Sequence, residues 1–225
     1  MNDPSTYEAW YHTPRGAWIG ETEYALARRK LAAIPGETLL DVGCGTGWFT
    51  RRFAAGGLLA TGLDPNPEWL AHARAHSGLD IHWVDGDARQ LPFAGNSFDC
   101  VVSIAALCFI PEERQAVAEI VRVARRRFAI GWLNRASLLY RQKHEQGAYR
   151  GAHWHTADEV RDFFSGLPVT NLSLSSAIFV PGGGSAAVIA ERLLPNALPW
   201  GALLIAAGEP LHGARAHSSK TQHAG

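Results

Sequence analysis

At 225 residues, 47% hydrophobic and 19% charged, the chain has the size and make-up of one α/β domain with a full core. Lys+Arg and Asp+Glu both number 21, so no net field attracts nucleic acid or an anionic membrane. No apolar run approaches the ~20 residues that span a bilayer.

Residues 1–20 are rich in aromatics and turn formers, and ETEYALARRKLAAI then predicts a helix closed by Pro35 and Gly36. From there strands and helices alternate. TLLDVG reads as a strand, GWFTRRFAA as a helix with Phe49 and Phe53 on one face, and LLATGLD as the second strand. NPEWLAHARAH opens with Asn66 as a cap and Pro67 in the first helical position. DIHWVDGD is the third strand, and FDCVVSI the fourth, apolar as a strand covered on both faces should be. PEERQAVAEIVRVA places Val117, Ile120, Val121 and Ala124 on one helical stripe. The basic run RVARRR, Arg122 to Arg127, reads as the C-terminus of that helix, where cations suit the macrodipole. RFAIGWL is the fifth strand; residues 134–155 are irregular and aromatic, and Thr156 with Glu159 forms a capping box for the next helix. Two β-like runs, within 169–180 and 201–207, flank a turn, VPGGGS, and a short helix, AAVIAERLL. Residues 212–225 lack an apolar pattern and read as a disordered tail.

The alternation implies a doubly wound, mostly parallel sheet with helices on both faces, whose ligands sit beyond the carboxyl ends of the strands. LLDVGCGTGWFT lies just there, with Gly43, Gly45 and Gly47 at alternate positions after the first strand. Asp41, Asp64 and Asp87 recur at 23-residue intervals, one strand-helix unit each, so three strand tips would present carboxylates to one crevice. Asp64 is placed like the acid that takes ribose hydroxyls, and the glycines let backbone approach a ligand without a Cβ in the way. Asp87 with the Ala88 amide would read an adenine edge, and Asp41 suits a cationic group better than a pyrophosphate. The dinucleotide fingerprint G-x-G-x-x-G/A is not met, because the spacing is G-x-G-x-G and Trp48 follows.

LLDVGCGTG, GLDPNPEWL, DGDARQLPF and SFDCVVSIAALCFI together resemble the class I S-adenosylmethionine-dependent methyltransferases over roughly residues 36–133. The resemblance is closest to the small-molecule, type 11-like branch that includes quinone-ring methyltransferases. It implies a seven-stranded sheet, with GALLIAAG supplying the antiparallel seventh strand. It also implies S-adenosylmethionine as cofactor and S-adenosylhomocysteine as product. The cofactor would lie against Asp41, Gly43, Cys44, Gly45, Gly47, Asp64, Pro65, Asp87, Ala88 and Ser103, with no metal. Residues 1–35 would form an N-terminal lid and helix, 36–211 the methyltransferase domain, and 134–155 an acceptor-site insertion after the fifth strand.

The expected reaction is in-line displacement of the sulfonium methyl onto a small organic acceptor. A base is needed only where the acceptor holds its proton tightly. Tyr11, His12, His153 and His155 are the candidates; His153 and His155 alternate on an extended backbone, so one of them would face a pocket. Relatives with a histidine late in the fourth-strand motif differ from this chain, which has Cys108 and Phe109 there. Trp10, Trp18 and Trp154 would line an apolar acceptor pocket. The Asp/Asn-Pro-Pro-aromatic turn of nucleic-acid amino-methylation is absent, as is a set of lid cysteines for arsenic. A nicotinamide-dependent oxidoreductase and a non-catalytic S-adenosylmethionine-binding module remain as alternatives. Cys44, Cys100 and Cys108 form neither a disulfide framework nor a zinc spacing. The polar, acidic opening MNDPSTYEAW shows no signal peptide, so the expected location is cytoplasmic, with the oligomeric state open.

Overall fold

A computed structural model describes residues 3–78 and 80–211; the expected tail, 212–225, lies outside them. The elements in chain order are α1 (Pro4–Tyr11), α2 (Pro14–Leu31), β1 (Thr38–Val42), α3 (Trp48–Ala55), β2 (Leu59–Asp64), α4 (Pro67–Ala75), β3 (His82–Asp85), β4 (Phe98–Ile104), α5 (Glu113–Val123), β5 (Ala124–Leu133), α6 (Leu138–Lys143), α7 (Ala157–Asp162), β6 (Val169–Ala177), α8 (Ser185–Leu193) and β7 (Leu203–Pro210). The seven strands form one sheet in the order β3-β2-β1-β4-β5-β7-β6. β1 to β5 pair in parallel, and β7 runs antiparallel to both β5 and β6. The strand order reverses at β1, which has β2 on one side and β4 on the other. That switch point is where a doubly wound sheet leaves a crevice.

Strand alternation sorts the core into two layers. Leu39, Cys100, Val102 and Ala129 pack with Leu26, Leu31 and Phe53 from α2 and α3 on one face. Leu40, Val101, Phe128 and Ile130 pack with Val117, Ile120 and Val160 from α5 and α7 on the other. Both faces are covered, which is why the central strands are mostly apolar.

Two expectations need correction. The helix expected from Glu21 starts earlier, at Pro14, and a further helix precedes it. Asp3 and Thr13 each accept a hydrogen bond from the backbone of the turn they precede, and proline follows each of them, so α1 and α2 start at ordinary capped positions. α2 ends at Leu31, with Ala32 in the left-handed region, before Pro35 is reached. Secondly, only Arg122 of the basic run sits in the last turn of a helix. α5 stops at Val123, and Arg125, Arg126 and Arg127 ride on the first residues of β5. There they pair with Asp99, Glu37 and Glu209, acids from three separate segments. Partners so distant in sequence overrode the local helix-end pattern.

Candidate functional site

β1, β2 and β4 end around a cleft of about 700 Å³. Its floor is the turn after β1, where Gly43, Gly45 and Gly47 all have positive φ. The N–H groups of Gly43 and Cys44 both donate to the Leu63 carbonyl, which ties the turn to the end of β2. At Gly43 a side chain is excluded outright, since a Cβ would stand 2.4 Å from that of Ala106. Glycine is required here by both dihedral and contact.

Asp64 ends β2 and lines the cleft. Its Oδ2 accepts from the Gly45 N–H at 2.8 Å and its Oδ1 from the Asn66 N–H at 2.9 Å. Burial pushes its carboxyl above the usual carboxylate range, against those two bonds, with the charge of Asp85 adding to the rise. The acid is therefore aimed by the glycine turn it faces. Pro65, Asn66 and Trp69 continue the wall into α4, with Asn66 capping that helix.

Asp87 and Ala88 form the opposite wall. Arg89 folds back onto Asp87, with Nη2 2.6 Å from Oδ2 and its own N–H 2.8 Å from Oδ1, and holds that carboxyl below its ordinary value. Both carboxylate oxygens are thus engaged, which the sequence did not indicate. The Ala88 N–H makes no hydrogen bond with the described residues. Arg89, Ile104, Ala105, Ala106, Leu107, Phe109, Ile110 and Pro111 complete this side.

The expected cofactor residues divide into two groups. Gly43, Asp64, Pro65, Asp87 and Ala88 line the cleft. Asp41, Cys44, Gly45, Gly47 and Ser103 stand behind its surface. Asp41 is 2% exposed and accepts from the Thr50 hydroxyl at 2.6 Å, so the third acid anchors α3 to β1 instead of opening to the crevice. Its burial pushes the carboxyl up to about 7. The Ser103 and Thr46 hydroxyls are buried without a hydrogen-bond partner. One precedes the cleft residue Ile104 and the other sits inside the glycine turn.

The candidate bases are not gathered at the cleft. Tyr11 is buried, stacked on Trp48 at 4.4 Å between ring centroids, and shares a hydrogen bond with the Tyr7 hydroxyl. Burial lifts its hydroxyl pKa well above the ordinary value. His12 is exposed and caps α1 with its backbone N–H. His153 and His155 do not face opposite ways: His153 Nδ1 and His155 Nε2 each lie 2.9 Å from Oε1 of Glu113. Trp132 Nε1 donates to Oε2 of that buried acid at 2.8 Å. A carboxylate shared by both rings undoes the strand alternation expected from their spacing, and makes the pair a brace. Among the described residues no group of three or more His, Cys, Asp or Glu is arranged to hold a metal.

Of the aromatic candidates, Trp154 is buried in the core between Tyr140 and Tyr149. Trp18 lines a shallow groove against Ala177 and Glu191. Trp10 lines a second cleft, about 340 Å³, with Arg15, Lys143 and Tyr149. Tyr7 was missed by the sequence reading. It lines the main cleft, with its ring 5.0 Å from that of Trp69. The one available signal was its i, i+4 relation to Tyr11 on an amphipathic turn.

The donor set fits S-adenosylmethionine. It combines a side-chain-free floor, a half-buried carboxylate at a ribose position, and a free backbone N–H beside a second carboxylate.

Residues 40–127 match a methyltransferase domain model of type 11. A malonyl-[acyl-carrier protein] O-methyltransferase of Erwinia pyrifoliae is 42% identical over 95 residues, 41% of this chain and 36% of that protein. A demethylmenaquinone methyltransferase of Renibacterium salmoninarum is 38% identical over 95 residues, covering 42% and 40%. The chain thus spans well under half the length of these relatives. A solved Thermotoga maritima structure, described as a methyltransferase and possible histamine N-methyltransferase, superposes with a TM-score of 0.73. It shares 20% identity over 92% of this chain and 96% of that one, which speaks for the fold alone. Over residues 40–127, less than half of its length, the chain is thus similar to the type 11 methyltransferase domain.

Proposed function

We propose that the protein transfers the sulfonium methyl group of S-adenosylmethionine to a small organic acceptor by in-line displacement. The observation that carries this reading is the convergence of the Gly43 turn, Asp64 and Ala88 on one cleft at the switch point. Asp64 would take the ribose hydroxyls while the Gly45 and Asn66 N–H groups keep its carboxylate in place. The Ala88 N–H would meet an adenine acceptor nitrogen. For Asp87 to meet the adenine amino group, Arg89 must yield an oxygen lone pair, and its guanidinium is exposed enough to swing away. Gly43, Gly45 and Gly47 supply the side-chain-free approach, with Asp41 and Thr50 holding the turn from beneath.

S-adenosylmethionine supplies an already activated methyl carbon. The protein's task is then alignment and exclusion of water. Tyr7 and Trp69 would close the ribose end, and Phe109, half-exposed at the rim, would close over the reacting end. Residues 1–35 act as the lid, and 134–155 build the acceptor side, because Trp10 and Arg15 meet Lys143 and Tyr149 across the second cleft. His153 and His155 stabilise that segment through Glu113 and do not act as the base. The relatives' names, which specify a malonyl-carrier and a demethylmenaquinone acceptor, support a small organic group as the target. Balanced charge argues against nucleic acid. No helix of the described residues is long and apolar enough to cross a membrane. Three free, buried cysteines suit a cytoplasmic location.

Calorimetry with S-adenosylhomocysteine tests the proposal. Saturable binding is expected, and Asp64→Ala should weaken it by about a hundredfold or more. That follows from two charge-assisted hydrogen bonds at about 1.5–3 kcal/mol each. Wild-type protein that fails to bind the nucleoside, or binds NADH in its place, would refute the reading.

A further inference from the structure

Helix α2 buries Gly16, Ile19, Gly20, Leu26, Ala27 and Leu31. Glu23 falls in the same stripe, three residues after Gly20 and three before Leu26. It is half-buried, and among the described residues it has neither a hydrogen bond nor an ion pair. A carboxyl set into an apolar stripe without a partner holds its proton until a ligand supplies a counter-charge.

Its surroundings are phenols. The charge of Glu23 bears on the hydroxyls of Tyr7 and Tyr11 from α1 and of Tyr149 from the segment after β5. Gly20, one turn earlier, abuts Trp48 and Tyr11. Tyr7 also lines the nucleotide cleft, and Tyr149 lines the second cleft. The charge of Glu23 therefore bears on a phenol from the rim of each cleft. The remaining groups on this cluster are the Cys108 thiol, which bears on Tyr7 and Tyr149, Glu8, whose charge bears on Tyr11, and Arg15, whose charge reaches Tyr149. Burial pushes the Tyr7 hydroxyl up to about 12, raises Tyr11, Tyr149 and Cys108, and lifts the Glu23 carboxyl from 4.5 to about 8. Arg15 is the one cation among these groups, and it forms no ion pair with Glu23.

We propose that Glu23, with Tyr7, Tyr11 and Tyr149 in its neighbourhood, binds the basic nitrogen of a primary or secondary amine acceptor and takes its proton. The proposal rests on the methyltransferase reading above and names its acceptor class. Aromatic rings near one carboxylate are a cation-selective combination. In the proton step an ammonium N–H bond breaks and an O–H bond forms on Glu23, leaving a lone pair on nitrogen. As the N–CH3 bond then forms, the electron pair of the S–CH3 bond stays with sulfur.

The test is calorimetry on the S-adenosylhomocysteine complex at pH 7, in two buffers of different ionisation enthalpy. Phenethylamine is compared with 2-phenylethanol, and benzylamine with benzyl alcohol, on the wild type and Glu23→Gln. Each amine should bind about tenfold or more tighter than its alcohol. Its binding should release about one proton, because the free carboxyl is protonated at this pH. Glu23→Gln should abolish the amine preference and the proton release while still binding S-adenosylhomocysteine. Amines that bind no better than their alcohols, or a preference that survives Glu23→Gln, overturn the proposal. If the variant does not fold, amine preference and proton release in the wild type decide alone. A wild type that binds no S-adenosylhomocysteine overturns the methyltransferase reading instead.

Discussion

Replacing Asp41 by asparagine tests whether that acid is structural. Asp41 is 2% exposed, and its Oδ2 accepts from Thr50 Oγ1 at 2.6 Å. Burial raises its carboxyl from 3.8 to about 7, with Thr50 opposing the rise and the Asp64 charge adding to it. An acid whose folded pKa lies above its unfolded one binds protons preferentially in the native state. Its contribution to stability is complete below about 3.8 and is lost as the pH climbs through about 7. Three pH units at about 1.4 kcal/mol each set a ceiling of about 4 kcal/mol. Coupling to Asp64 and relaxation of the site bring the expectation to about 1–2 kcal/mol. Asparagine does not titrate, and its amide oxygen still accepts from Thr50. Its NH2 group needs a partner too, so the change in the gap with pH is decisive, not the gap itself. Urea unfolding followed by tryptophan fluorescence should show Asp41→Asn gaining about 1–2 kcal/mol on the wild type between pH 4 and pH 8. A gap that stays constant across that range would refute burial of an ionisable acid beneath the turn.

Gly43→Ala forces an L-residue to a φ of +75° and brings its Cβ 2.4 Å from that of Ala106. S-adenosylhomocysteine affinity should fall about tenfold or more by calorimetry, since the left-handed dihedral alone costs about 1–2 kcal/mol. Adding Ala106→Gly removes the contact but not the dihedral, so it should restore only part of the loss. Glu113→Gln leaves one amide oxygen where two carboxylate oxygens serve Trp132, His153 and His155. It should cost about 1–3 kcal/mol in urea unfolding and speed amide exchange at His153, whose N–H donates to the Cys108 carbonyl. Unchanged stability there would remove Glu113 as the brace of the acceptor segment.

The cleft at the strand tips was legible because its pattern is local. A strand, a turn and a helix follow one another within a dozen residues, and the turn's glycines and the acid at the next strand tip are fixed by covalent distance. Gly43, Asp64 and Ala88 accordingly line the cleft. Asp41 misled because position along a strand does not give the direction of a side chain. It lies in the middle of the β1 register opposite Gly62 and Val102, where its side chain reaches α3. The saturation of Asp87 by Arg89 was equally hidden, since a two-residue salt bridge and a free strand-tip acid look alike in sequence.

The proposed acceptor half depends on the phase of two helices and the path of a long connection, and short-range patterns do not encode how these meet. His153 and His155 illustrate the difficulty. Alternation is a rule for regular strands, and one buried carboxylate from α5 draws both rings to itself across an irregular backbone. Glu23 was in principle readable, because an acid at the buried phase of an amphipathic helix breaks the pattern. That reading requires α2 to be started at Pro14, where its capping threonine sets the phase from Gly16 and Ile19 onward. Started at Glu21, the helix shows Glu23 as one more charged residue in its first turn, where acids are welcome. Locating a helix cap thus decides whether this acid is read as a dipole partner or as a polar group in an aromatic neighbourhood.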